Sequence, residues 1–274
     1  MNAGITISHL EKKFNDFKLG PIDAVIPAGN ITAIIGKNSS GKTALLSCIS
    51  GSCAIDSGDV LFSKPVLNGN VGIVLDRCPY PPDIDVQELS RLMSMVIPGW
   101  DRHGFFHLCS LMEIDSDLKI SEMSKGNRTK LQVAVSLSHK TDYLIMDEPT
   151  SGLDPGSKDK VLDLVREYVS DEGHTVVIAS HDTSVLEDNA DYVLLLDGGR
   201  QVLFDDMNAI MDEYGCVNAP ARPIQSQYVI GEESRRYGNM VFIKNRPELS
   251  KNYPELGIDN VSLEDLVMYC GGSE

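Results

Sequence analysis

Gly36-Lys37-Asn38-Ser39-Ser40-Gly41-Lys42-Thr43 is the stretch from which the rest of this chain can be read. Its form, Gly-x-x-x-x-Gly-Lys-Thr, lets the glycines curl the backbone until its N–H groups point inward at phosphate oxygens. Upstream, residues 30–35 form a continuous apolar strand that feeds straight into the loop. Downstream, residues 42–50 read as a helix ended by Gly51. A helix that starts at the loop adds the positive end of its dipole. Strand, loop and helix in that order separate a phosphate cradle from a chance glycine-rich turn. The reading places Gly36, Lys37, Asn38, Ser39, Ser40, Gly41, Lys42, Thr43 and Ala44 around the phosphates of a nucleotide. Lys42 is expected to reach the β- and γ-phosphates, and the Thr43 hydroxyl to ligate Mg²⁺.

Three further motifs follow in order: Ser124-Lys125-Gly126-Asn127, then Tyr143-Leu144-Ile145-Met146-Asp147-Glu148, then His181. Residues 143–146 form a buried strand that delivers Asp147 to the sheet edge where ligands bind in open α/β sheets. Asp147 is expected to hold Mg²⁺ through water. Glu148 points to the other side of the strand end and can polarise a water in line with the γ-phosphate. By itself an Asp-Glu pair is ordinary surface charge. After four apolar residues and a phosphate loop it reads as catalytic.

Strand signals recur at 5–10, 71–75, 175–179 and 192–196, and helical periodicity at 86–96, 102–112, 126–139 and near 158–169. Strands alternating with helices imply an α/β fold with a mostly parallel sheet covered on both faces. Residues from about 77 to 140 lack strong strand signals and read as a helical subdomain inserted in the sheet. Beyond Tyr214 the pattern weakens, and Ala219-Pro220-Ala221-Arg222-Pro223 looks like a linker. Short strands at 227–230 and 240–243, and a last helix capped by Ser262, suggest a small α+β extension over 218–274 after a main domain of 1–217.

Composition narrows the function. The 274 residues have 42% hydrophobic content and carry a net charge of −16, from 24 basic and 40 acidic residues. Acidity on that scale argues against electrostatic tracking of nucleic acid or anionic lipid. No apolar run approaches the roughly 20 residues that span a bilayer, and residues 1–13 lack the apolar core of a signal peptide. If the protein serves a membrane process, another polypeptide supplies the membrane part. Six cysteines with no Cys-x-x-Cys pair read as reduced cytosolic thiols. His9, His103, His107, His139 and His174 form no ligand constellation. The aromatic stretches 79–82 and 100–106 are equally readable as core of the helical subdomain or as a groove for a partner's helix.

With these motifs in place, the chain resembles the ATP-binding subunit of bacterial ABC transporters over residues 3–215. Residues 147–155, Asp-Glu-Pro-Thr-Ser-Gly-Leu-Asp-Pro, are similar to the run joining that family's second nucleotide motif to its D-loop. Met123-Ser124-Lys125-Gly126-Asn127 resembles the signature Leu-Ser-Gly-Gly-Gln, and its Lys125 variant resembles ABC-2-type exporter subunits. His181 matches the switch histidine, and Phe14 lies where the family places an aromatic under the adenine.

The resemblance implies a P-loop NTPase of the ABC ATPase type, with an antiparallel N-terminal sheet beside the parallel one. It also implies ATP and Mg²⁺ as ligands and a head-to-tail dimer with a second ATPase subunit. Ser124 and Gly126 would approach the γ-phosphate held by the neighbour, Asp154 would sit at the dimer seam, and His181 would sense the γ-phosphate. The implied partner is an integral membrane permease, with this subunit peripheral on its cytoplasmic side and export the expected direction. Two rivals stand beside this reading. One is a soluble ATPase of the same type in a non-transport complex, and the other is a slow nucleotide-gated regulatory subunit.

One departure favours the second rival. The family usually ends a strand with Gln some ten residues before a helix start, and Asp76 occupies that Q-loop position here. A carboxylate adds negative charge near Mg²⁺ and the γ-phosphate, so Asp76 is expected either to bind the metal or to raise the barrier. Lys125 for Gly and Asn127 for Gln also depart from the signature.

Overall fold

A computed structural model describes residues 3–66, 69–171, 173–220, 222–235 and 238–271. In its first half lie β1 (Ala3–Lys13), β2 (Lys18–Pro27), β3 (Ile31–Ile35), α1 (Lys42–Ile49), β4 (Ser57–Phe62) and β5 (Val71–Val74). Helices α2 (Val86–Val96), α3 (Arg102–Leu111) and α4 (Lys125–Ser136) follow. Then come β6 (Tyr143–Asp147), α5 (Pro155–Val169), β7 (Thr175–Ala179), α6 (Thr183–Glu187), β8 (Tyr192–Asp197) and β9 (Arg200–Asp206). The chain ends with α7 (Met207–Glu213), β10 (Tyr214–Asn218), β11 (Val229–Arg235), β12 (Gly238–Lys244), α8 (Arg246–Asn252) and α9 (Leu263–Tyr269).

β3, β6 and β7 are buried at every position, as parallel strands covered on both faces are. They belong to a six-stranded sheet of order β5-β6-β7-β3-β8-β9. All its pairs are parallel except the last, β8 with β9. Alternate side chains feed two cores. Ala33, Ile35, Leu144, Met146, Val176 and Ile178 meet the helical side. Ile34, Ile145, Val177 and Ala179 meet α1 and the strand residues Ile5, Ile7 and Leu10. That second cover is a separate antiparallel sheet of order β2-β1-β4. The parallel sheet, the antiparallel N-terminal sheet and the helical segment α2–α4 are therefore all present.

Because β7 lies between β3 and β6, three loops leave the same edge side by side: the phosphate loop, the Asp147-Glu148 turn and the His181 loop. The helical segment is fastened to the sheet through α4. Gln132 accepts from Leu75 N at 2.9 Å and donates to Leu75 O at 3.0 Å, and Ser136 donates to Ile73 O at 3.1 Å. Of the aromatic stretch at 100–106, Phe105 is fully buried and packs at a tilt against Trp100, with ring centroids 5.1 Å apart. That part is core.

The C-terminal sheet, of order β10-β12-β11, packs its own small core of Tyr228, Val241, Ile243, Leu249 and Tyr253. Its first strand, β10, pairs with β12 from Tyr214 onward. The boundary expected between residues 217 and 218 therefore falls inside a strand of this sheet. Ser262 caps α9 as expected, in a reciprocal capping box with Asp265. Ala221 of the expected linker lies outside the described residues.

Strands β2, β4 and β9 carry no clear apolar signal in the sequence. Gly20-Pro21 interrupts the alternation of β2. β4 and β9 are edge strands whose residues are mostly exposed or half-buried, so few apolar positions are demanded of them.

Candidate nucleotide site

The phosphate loop turns directly into α1 at Gly41, whose φ of 107° lies in the left-handed region. A Cβ there would stand 2.8 Å from the Phe17 ring, so a glycine satisfies both the turn and the close approach. Lys42, 7% exposed, donates to Gly36 O at 2.8 Å and Lys37 O at 3.1 Å. Burial holds its pKa below the usual lysine range, and the charges of Glu148 and Asp147 oppose that shift. Thr43 Oγ1 donates to Asp147 Oδ2 at 2.8 Å. Asp147 is 4% exposed, and burial raises its pKa against the pull of the Thr43 hydrogen bond. The Glu148 and Asp76 charges push in the same upward direction. A buried carboxylate of this kind gains from a cation.

Glu148 sits at φ 53°, a conformation that costs a non-glycine residue on the order of 1 kcal/mol or more. Its carboxylate is tied down from the end of β7. The His181 amide donates to Oε1 at 2.9 Å, and Ser180 Oγ donates to Oε2 at 3.2 Å. His181 Nδ1 lies 2.8 Å from Oε2. The strained backbone therefore aims one carboxylate at the loop while the expected switch histidine holds it.

The aromatic beside the loop is Phe17, not the expected Phe14. Phe17 lines a cavity of about 380 Å³ together with Asn38, Ser39, Gly41, Lys42, Thr43, Ala44 and Glu148. Phe14 stands behind it, ring centroids 5.9 Å apart. The family position points to Phe14, and both phenylalanines fall in the same turn between β1 and β2. Only the packing against Gly41 distinguishes them.

The remaining expected residues gather elsewhere. Ser124 caps α4 by accepting from Asn127 N, and Asp154 caps α5 by accepting from Ser157 N. A Cβ on Gly126 would stand 2.7 Å from Gly152 O, so the signature segment and the 147–155 run touch within one chain. Asp76, expected among the metal ligands, instead meets Lys125: its Oδ1 lies 2.7 Å from Nζ.

A second cavity, about 510 Å³, opens on the other side of the loop. Gly36, Lys37 and Asn38 line it together with His181–Ser184 and, from α9, Glu264, Val267 and Met268. Sequence reading assigned no role to these three residues, since nothing local marks them. The α9 helix is held there by Leu263 and Leu266, both fully buried, and by the Leu263 amide donating to Glu187 of α6.

A family profile described as ABC transporter matches residues 19–151, which carry the loop, Asp147 and Glu148. Over those residues the chain is similar to the ABC transporter family. A putative ABC transporter ATP-binding protein of Methanosarcina acetivorans is 27% identical over 213 residues, 72% of this chain and 40% of its own length. The chain thus spans less than half of that longer relative. An uncharacterized ABC transporter ATP-binding protein of Bacillus subtilis, YhaQ, is 28% identical over 78% of this chain and 75% of its own length. Among solved structures, the cassette MJ0796, dimeric in a post-hydrolysis state with ADP and Pi, matches with a TM-score of 0.64. It is 17% identical over 74% of this chain and 98% of that one.

The site fits what an ABC cassette binds. Lys42 is a buried cation beside the loop, and Thr43 and Asp147 converge within one hydrogen bond. Among the described residues no group of three or more His, Cys, Asp or Glu could cage a metal. A metal at Thr43 and Asp147 would draw its other ligands from phosphate oxygens and water, the usual coordination of Mg²⁺. No helix among the described residues is long and apolar enough to cross a membrane.

Proposed function

We propose that this chain is the ATP-hydrolysing subunit of an ABC exporter, dimerising head to tail on MgATP and driving a separate membrane permease. The observation that carries it is the Glu148 carboxylate, fixed by His181 and Ser180 at the end of the strand that bears Asp147. In this reading Thr43 and Asp147 would hold Mg²⁺, which would neutralise charge on the phosphates. Lys42 leaves the Gly36 and Lys37 carbonyls for phosphate oxygens. Glu148 takes a proton from the attacking water, and His181 positions Glu148 and reports the terminal phosphate.

The partner's Ser124 and Gly126 close the far wall, because α4 begins there and a helix N-terminus suits an anion. Asp154, exposed at the start of α5, faces the seam. Phe17 offers its ring to the adenine. The permease surface is the exposed apolar side of the helical segment. Met95 and Val96 are 75% and 67% exposed, and Arg102, His103, Phe106 and His107 line an open cavity nearby in the chain. Such a protein is peripheral on the cytoplasmic face of its membrane. The Lys125 signature variant supports export.

Glu148→Gln is the test. It should keep MgATP binding, lower turnover by roughly 100-fold or more, and accumulate a dimer with MgATP on size exclusion. Normal turnover by this variant would remove Glu148 from the role assigned to it. The slow regulatory reading draws on Asp76, and steady-state hydrolysis by the wild type near 1 s⁻¹ or above, roughly the usual enzyme range, would eliminate it.

A further inference from the structure

Two of the chain's departures from the ABC pattern are one feature. Asp76 stands where the family has an uncharged amide, and Lys125 where the signature has a glycine. They lie 49 residues apart, yet their side chains meet at 2.7 Å. Lys125 also donates to Ser151 Oγ at 3.1 Å, which ties the pair to the run after Glu148. Each change alone would put an unmatched charge at the nucleotide edge of the sheet. Together they are neutral.

The surroundings fix this meeting. Gln132 of α4 grips both backbone polar groups of Leu75, so the residue before Asp76 is fastened about two turns along the helix that Lys125 begins. At the other end, the Gly126–Gly152 approach holds the start of α4 against the 147–155 run. Lys125 therefore sits at the junction of three segments, with its ammonium confined between a carboxylate and a hydroxyl. The Asp76 charge also reaches Asp147.

We propose that Lys125 is a positioning residue that holds and neutralises Asp76, so that the Asp76–Lys125 pair replaces the amide of other ABC cassettes without repelling the triphosphate. This rests on the nucleotide reading above. With Lys125 in place, the Asp76 charge is matched. Without Lys125, the Asp76 charge acts on the terminal phosphate uncompensated. Both side chains are about half exposed, 53% and 46%. Such a pair contributes little to folding, so its removal reads out at the nucleotide and not as unfolding.

The experiment is a double-mutant cycle read by fluorescent MgATP and MgADP titration, with thermal melting as a check on folding. Lys125→Ala should weaken MgATP about five- to tenfold and MgADP about twofold or less, because the lost compensation acts on the terminal phosphate. Lys125→Arg should recover MgATP affinity to within about twofold. In the Asp76→Gln background, Lys125→Ala should change MgATP affinity by about twofold or less. If Lys125→Ala costs the same factor in both backgrounds, or weakens MgADP as much as MgATP, the proposal is overturned. If the wild type binds MgATP and hydrolyses it while the cycle is additive, only the pairing falls. If the wild type binds no MgATP, the nucleotide reading falls with it.

Discussion

On one side of the phosphate loop, Phe17, Lys42, Thr43 and Glu148 form a wall whose members the chemistry of a nucleotide demands. On the other side, Lys37 and Asn38 face His181–Ser184 and three residues of α9 that arrive from more than 200 positions away. In the proposed function the first wall is the catalytic surface, and its residue types are those the chemistry requires. The second is a packing surface between the loop edge of the sheet and α9, and many side chains could fill it. Glu148 and His181 join the two, since one lines each wall and their side chains meet at 2.8 Å. A change in the nucleotide thus has a short physical route to α9 through His181 and α6.

The largest way to break this contrast is Lys42→Ala. Its ammonium is buried against the loop carbonyls, and in the proposed function it turns to the phosphates. A charge-assisted contact to phosphate contributes about 1.5–3 kcal/mol, or roughly 10- to 100-fold in affinity. Isothermal titration with MgATP should show a loss of that size, with no comparable loss of melting temperature. Unchanged affinity would mean that the first wall is not where the phosphates sit.

How far each wall can be read in advance follows from this. The convergence of the loop, Asp147, Glu148 and His181 is legible because in the proposed function phosphate, metal and water each require a particular residue type at a particular strand end. β3, β6 and β7 are legible for a related reason: burial on both faces demands unbroken apolar runs. Phe17 is not separable from Phe14, since a phenylalanine in a turn carries no periodic signal and only Gly41's missing Cβ selects between them. The placement of Asp76 against Lys125 is also hidden, because a salt bridge across 49 residues depends on tertiary geometry. β4 and β9 escape because exposed edge strands need few apolar residues. The position of α9 escapes most completely. Its Leu263 and Leu266 announce an apolar face, and nothing in them names the surface that face will cover.

Phe17→Ala sharpens the first wall. Stacking of a base on an aromatic ring is worth about 1–3 kcal/mol, and half-burial of Phe17 places the expectation near the lower end, roughly five- to tenfold in affinity. The loss should be equal for MgATP and MgADP, because both carry the same adenine. Inorganic triphosphate, tested as a competitor, should bind the variant as it binds the wild type. A loss confined to MgATP would contradict an adenine role and place the Phe17 ring against the phosphates.

The smallest effect belongs to the second wall, and its sign distinguishes the walls more sharply than its size. Met268 is 51% exposed on α9, on the cavity shared with Lys37, Asn38 and His181. Met268→Asp places a carboxylate there without touching Leu263 or Leu266, which anchor the helix. At roughly 8 Å through water, two unit charges interact by about 0.5 kcal/mol, and an added negative charge repels a nucleotide. MgATP affinity should fall about twofold, MgADP affinity less, since the His181 side of the loop is where a terminal phosphate would be sensed. The effect should fade above about 0.5 M salt, where the screening length falls to about 4 Å, whereas the Phe17→Ala loss should persist there. A salt-insensitive loss of equal size for both nucleotides would instead mean that α9 had been dislodged. The second wall would then support the loop mechanically, with no electrostatic view of the nucleotide.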